Sequence, residues 1–261
     1  MLSFFCKEFN IPAAKLLAHN FRTTFYTSAQ AIQLTTNEQL VGFFKTLALS
    51  NRTESIFVKP QMGKGGKGAF LLHMSTLKEQ LEAHGDDLRS GFYVFQETIV
   101  QHPEIGRIYP HSINTLRIST YRDDEGILHT LPIVMRFGVG GSVVDNKSSG
   151  GLYVVVDQAQ ACLGSIARTE LTTGSTDFSK HPDTGIIFAN YKIPYFSEAR
   201  TFCEQLASLL PNRFTGWDIA ITADGPMLVE ANANPNLTLG ELEHGGYLQY
   251  PVFQKILANS R

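Results

Sequence analysis

Between Ser197 and Leu210 the apolar residues Ala199, Phe202, Cys203, Leu206 and Leu209 recur at helical spacing, and Pro211 follows, so this stretch predicts an amphipathic helix. Thr35-Thr36-Asn37-Glu38 reads as a capping box leading into a helix over Gln39 to Leu49, and Ser75-Thr76-Leu77-Lys78-Glu79 opens another that stops near Gly85. Strand-like runs lie between them: Ser55 to Lys59, Ala69 to His73, Phe92 to Val100, Asn114 to Tyr121, His129 to Gly138 and Gly151 to Asp157. Turns such as Asp123-Asp124-Glu125-Gly126 connect some of them as hairpins, which predicts mostly antiparallel sheets.

The run from Gly216 to Asn232 carries the most chemistry. It predicts two short strands joined at Asp224-Gly225, with Asp218 on the first and Glu230-Ala231-Asn232 on the second. With a three-residue loop over Ala223 to Gly225, Thr222 pairs with Pro226, which sets Asp218 opposite Glu230. Period-2 alternation adds Asn232 to the same face. Two carboxylates and an amide oxygen form a hard site suited to magnesium, which commonly brings a nucleotide phosphate as co-ligand. The competing reading is a solvated acidic hairpin, because a one-residue slip separates the carboxylates onto opposite faces.

Composition narrows the class. At 261 residues and 43% hydrophobic, the chain can bury one large core or two smaller ones. A net charge of -2 with no cluster of Lys and Arg argues against a nucleic-acid or anionic-membrane partner. Cys6, Cys162 and Cys203 are scattered without metal spacing and predict reduced thiols in a cytoplasmic protein. No stretch has a signal-peptide core or approaches the roughly 18 apolar residues of a membrane span. With no polar linker visible, the expected division is a smaller lobe over residues 1–95 and a larger one over 96–261.

Ile56 to Leu72 places a basic glycine loop, Gly63-Lys64-Gly65-Gly66-Lys67-Gly68, between two strand-like segments, where backbone N–H groups can fold over phosphates. Gly63, Gly65 and Gly68 satisfy a dinucleotide-binding spacing, but a strand follows where that motif needs a helix. A Walker A loop also fails, since Lys67 precedes Gly68 rather than Ser or Thr. Tyr121-Arg122-Asp123 lacks the spacing of a kinase catalytic loop. An unstructured basic hairpin tip remains the alternative.

Lys59-Pro60 with its glycine loop, Phe95 to Ile99, Asn114 to Arg117, Arg136-Phe137-Gly138 and the closing Asp218, Glu230 and Asn232 occur in the order found in ATP-grasp domains. The chain resembles that superfamily over nearly its whole length. Gln101-His102-Pro103, Ser112 to Arg117, Val144-Asp145-Asn146 with Gly150-Gly151, His181 to Gly185 and Gly216 to Ile219 are similar to the sugar-transfer associated branch, related to alpha-L-glutamate ligases. The resemblance implies an α+β fold of two lobes, with mostly antiparallel sheets clamping ATP between them.

It also implies roles. Lys59 and the loop residues Gly63, Lys64, Gly65, Gly66 and Gly68 would contact ATP phosphates, while Gln96, Glu97 and Ile99 belong to the strand that reads adenine. Arg117 and Arg136 would stabilise the transferred phosphoryl group; Asp218, Glu230 and Asn232 would hold Mg2+. The implied reaction joins a carboxylate to an amine through an acyl-phosphate, on a cell-surface or exopolysaccharide precursor. A kinase of a small hydroxyl acceptor and a non-catalytic nucleotide-binding subunit are the alternatives. Asn10-Ile11-Pro12 resembles a turn that ATP-grasp proteins carry after a further N-terminal domain, which leaves two readings open: a shortened natural protein, or a partner chain or oligomer that supplies that region. Asp145-Asn146 and Gly150-Gly151 read as turn residues at least as readily as substrate contacts. Glu241 to Gly246 is a candidate acceptor-pocket segment, and His102, His111, His181 and His244 read as structural or solvent-facing.

Overall fold

The computed structural model describes residues 2–62, 66–145, 150–169, 176–237 and 245–258. The chain divides into two compact units, Ala14–Ile99 and Met1–Ala13 with Val100–Arg261. The expected boundary near residue 95 falls inside a strand, and the N-terminal segment belongs with the larger unit. The reason is apolar: helix α1 (Leu2–Glu8) buries Cys6, and Leu2, Phe5 and Ile11 pack on the larger unit's core.

The smaller unit is a six-stranded antiparallel sheet with two helices. Strands β1 (Leu16–Phe21), β2 (Thr24–Tyr26), β3 (Ala31–Gln33), β4 (Ser55–Pro60), β5 (Phe70–His73) and β6 (Tyr93–Glu97) lie in the order β3-β2-β1-β6-β4-β5. Ile56, Val58, Leu72 and Phe95 form a core with residues of helices α2 (Asn37–Asn51) and α3 (Leu77–Ser90). The capping box of α2 uses Thr36 and Gln39 rather than Glu38. Gly85, read as a stop signal, lies buried inside α3. A Cβ there would collide with Asn37 Oδ1, so the glycine marks the close approach of α3 to α2.

The larger unit holds an antiparallel sheet of eight strands. These are β7 (Thr115–Arg122), β8 (Leu128–Thr130), β9 (Val134–Phe137), β10 (Leu152–Asp157), β11 (Cys162–Arg168), β12 (Asp177–Phe178), β13 (Phe214–Thr222) and β14 (Gly225–Asn232). Their order is β12-β11-β10-β9-β7-β13-β14, with β8 pairing the other end of β7. The expected single run from His129 to Gly138 is two strands, interrupted at Leu131-Pro132-Ile133. One sheet face is apolar. Leu116, Ile118, Met135, Phe137, Trp217 and Ile219 share a core with Phe196, Ala199, Cys203 and Leu206 of α5 (Phe196–Leu209) and with Ile105 and Ile108 of α4 (Pro103–Ile108).

The opposite face must carry the alternate residues of the same strands. At one end of it, Tyr121 clusters with Tyr247 and with Phe253 of helix α6 (Pro251–Ala258). Gly216 comes next, and a Cβ on it would lie 2.5 Å from Pro235, so glycine is what lets the chain after β14 cross here. Beyond that the face is polar.

Candidate phosphate and metal site

Three registers assemble this polar patch. Asp218 pairs with Arg117 on one side and Glu230 on the other, while Gly216 pairs with Asn232. Arg117 pairs with Val134, two residues from Arg136 on β9, and Ala220 pairs with Thr115. Paired residues in an antiparallel ladder share a face, so Thr115, Arg117, Arg136, Asp218, Glu230 and Asn232 all project to one side.

Asp218 sits at the centre and is 2% exposed. Arg117 donates to it through Nε (2.5 Å to Oδ1) and Nη2 (3.0 Å to Oδ2). Arg136 Nη2 lies 3.0 Å from Asp218 Oδ2 and 3.4 Å from Asp145 Oδ1. Burial pushes the Asp218 carboxyl up, but Arg136 and Arg117 together outweigh it and hold the group below its ordinary value. Burial likewise opposes the charge on Arg136, and Asp145, Asp218 and Glu230 more than restore it, so that guanidinium stays protonated. Asp145 behaves the other way: its burial wins over Arg136 and Thr115, and its carboxyl is raised.

Glu230, opposite Asp218, is exposed, and Asn232 is half-buried. No group of three or more His, Cys, Asp or Glu able to hold a metal occurs among the described residues. The oxygen donors available to a metal here would be the carboxylates of Asp218 and Glu230 and the amide oxygen of Asn232. That all-oxygen donor set fits a hard divalent cation, and the adjoining guanidinium groups fit a phosphate rather than a bare ion.

In the smaller unit, Lys59 pairs with Val94, and Gln96 pairs with Phe57, so Lys59 and Gln96 lie on the sheet face opposite Ile56, Val58 and Phe95. Glu97 pairs with Ile56, which puts its side chain on the other face; its backbone N–H donates to Lys15 O at 2.9 Å. Ile99 is half-buried beyond β6. Gly66 and Gly68 adopt φ of 67° and 78° in a turn ahead of β5, a conformation that favours glycine. Gly63, Lys64 and Gly65 lie outside the described residues, as do Asn146 and Glu241 to His244.

A family model for sugar-transfer associated ATP-grasp proteins matches residues 29–250. The chain belongs to that family. No curated protein matches its sequence. Among solved structures, the ATP-grasp chain is similar to D-alanyl-alanine synthetase A from Vibrio cholerae, with 15% identity, TM-score 0.49, and coverage of 94% of this chain and 59% of that one. The ADP complex of PurK, N5-carboxyaminoimidazole ribonucleotide synthetase, gives 12% identity, TM-score 0.48, and coverage of 88% and 42%. The D-cycloserine synthetase DcsG gives 15% identity, TM-score 0.45, and coverage of 90% and 63%. The chain thus spans less than two thirds of the length of each of these structures.

Within the ATP-grasp chain, the part of the site that sequence reasoning did not assemble is the support behind Arg136. Thr115 falls within the Asn114 to Arg117 motif, but no role attaches to it there. Asp145 read as a turn residue or a substrate contact, yet it is buried against Thr115 and Arg136. The only local signal is that Asp145 directly follows Val143-Val144; the polar run Asn146-Lys147-Ser148-Ser149 after it reads as a turn. His181 is also buried: its Nε2 lies 2.9 Å from Gly138 O, its ring stacks on Tyr109, and burial pushes its pKa down. That places it in the framework beneath the loop after β9. All three cysteines are buried free thiols, and no helix among the described residues is long and apolar enough to cross a membrane.

Proposed function

We propose that the protein is an ATP-dependent ligase that joins a carboxylate to an amine through an acyl-phosphate, with a cell-surface or exopolysaccharide precursor as the acceptor class. The observation that carries this reading is the convergence of Asp218, Glu230 and Asn232 with two arginines on one sheet face. A carboxylate oxygen is a poor leaving group, so amide formation needs prior phosphorylation. Charge then collects on phosphate oxygens, which calls for cations already oriented.

Asp218, Glu230 and Asn232 would hold Mg2+, which when bound neutralises phosphate charge. Arg117 and Arg136 stabilise the transferred phosphoryl group, and their pairing with Asp218 fixes their planes before substrate arrives. Within the smaller unit, Lys59 and the glycine turn through Gly66 and Gly68 are candidate phosphate contacts, and Gln96, Glu97 and Ile99 candidate adenine contacts. No protein nucleophile is needed. A supply of ATP and three reduced thiols suit the cytoplasm.

The test is product analysis with a panel of carboxylates, amino acids and amino sugars. A ligase releases ADP and inorganic phosphate only when carboxylate and amine are both present. ADP with the phosphate retained on a hydroxyl acceptor would instead show a kinase. Binding of MgATP without turnover across the panel would show a nucleotide-binding subunit.

A further inference from the structure

Asp145 lies 6% exposed in the loop after β9 and shares Arg136 Nη2 with Asp218. Its Oδ2 accepts from both the backbone N–H and the hydroxyl of Thr115, at 2.9 and 2.5 Å. A hydroxyl has one proton. Because the Thr115 proton goes to Asp145, the lone pairs of Oγ1 turn toward Arg136, whose Nε and Nη2 donate to it at 3.0 and 2.6 Å. The remaining Asp145 oxygen lies 3.4 Å from the same Nη2. The Nε and Nη2 edge of Arg136 is thereby committed, to Thr115, Asp145 and Asp218.

The loop that carries Asp145 is itself tied down. Tyr109 donates its hydroxyl proton to Ser142 O at 3.0 Å, and Gly140 N–H donates to Asp183 Oδ2 at 2.7 Å. Gly138 has no room for a Cβ, which would meet Tyr109 at 2.5 Å and Ser112 Oγ at 2.6 Å. The carboxylate is therefore held by a packed framework rather than by a free loop.

We propose that Asp145, acting through Thr115, is the positioning residue for Arg136, orienting its Nη1 edge toward the phosphoryl group that ATP transfers. The inference rests on the phosphate reading above. Its consequence is selectivity for the γ-phosphate: Asp145 matters for a nucleotide that has one and little for a nucleotide that lacks it. A purely structural role for the Asp145–Thr115 pair would move both nucleotides together.

The experiment is calorimetric titration of the full chain with the magnesium complexes of AMP-PNP and of ADP. Asp145→Asn is expected to weaken AMP-PNP binding about tenfold and ADP binding less than about twofold, and Asp145→Asn with Arg136→Lys should lose little beyond either single change. Thr115→Ser keeps the hydroxyl and should bind as the unmodified chain does. Thr115→Val, which leaves no added polar group, should reproduce the selective loss. ADP binding by each variant reports that it is folded, and if Asp145→Asn does not fold, the Thr115 pair decides. Equal losses for the two nucleotides, additive losses in the double variant, or equal behaviour of Thr115→Ser and Thr115→Val would overturn the positioning role. An unmodified chain that binds neither nucleotide would overturn the phosphate reading itself.

Discussion

Asp218 and Glu230 face each other across β13 and β14 because Val229 bulges out of the ladder between them. The hairpin closes through Ala223 and Asp224, with Thr222 paired to Gly225 and Ile219 to Leu228. Continued without a break, that register would set Asp218 against Val229 and turn Glu230 to the apolar face. The irregularity after Leu228 advances the pairing by one residue and returns Glu230 to the face of Asp218. Leu228 N–H donates to Pro12 O at 2.8 Å on the outer side of β14, so the N-terminal segment lies against the bulge.

Asp218 is buried against two guanidinium groups, so neutralising it leaves both without their shared anion. Asp218→Asn is expected to lower unfolding free energy by about 3–5 kcal/mol at pH 7. Arg117 and Arg136 hold the Asp218 carboxyl below its ordinary value, so the stability it contributes is fully present above an unfolded pKa of about 3.9 and is lost as pH falls through the lower folded value. Asp145, raised by burial, contributes with the opposite sign. Urea unfolding from pH 7 to pH 3 should show the gap between the unmodified chain and Asp218→Asn narrowing below about pH 4.

Gly216→Ala drives a Cβ to 2.5 Å from Pro235 Cβ, and the proline ring cannot rotate out of the way. The chain after Asn232 must shift. Denaturant midpoints should record a loss of about 1–3 kcal/mol. The substitution should also weaken any magnesium-dependent ligand, since Asn232 pairs with Gly216.

The capping box of α2 can be tested apart from the site. Gln39 N–H donates to Thr36 Oγ1 at 3.3 Å, and Thr36 N–H donates back to Gln39 Oε1 at 3.2 Å. Thr36→Ala should cost about 1 kcal/mol in thermal or urea unfolding. It should leave nucleotide binding unchanged.

Much of the candidate site was legible because its residues sit on one hairpin, where alternation relates Asp218, Glu230 and Asn232 locally. The expected pairing of Asp218 with Glu230 is present, though it arises from a two-residue turn plus a bulge rather than a three-residue loop. Thr115 and Asp145 were not legible as partners of Arg136, because contacts across β7, β9 and the loop after β9 depend on a register that no local pattern encodes. The same limit explains Gly85, a helix stop by local chemistry and a packing glycine by tertiary contact. Strands β2 and β3 have three residues each, too few for period-2 alternation to stand out.

Asp218, Glu230 and Asn232 are proposed to present Mg2+ to the phosphates of ATP, and Glu230 is the cleanest probe of the three because it is exposed, whereas Asp218 is buried between Arg117 and Arg136. The decisive measurement is ATP calorimetry on the unmodified chain and on Glu230→Gln, with magnesium and with chelator. Binding should require magnesium and weaken about tenfold or more in Glu230→Gln, at an unchanged melting temperature. ATP binding that is indifferent to magnesium, or an unaltered affinity in Glu230→Gln, would contradict that assignment.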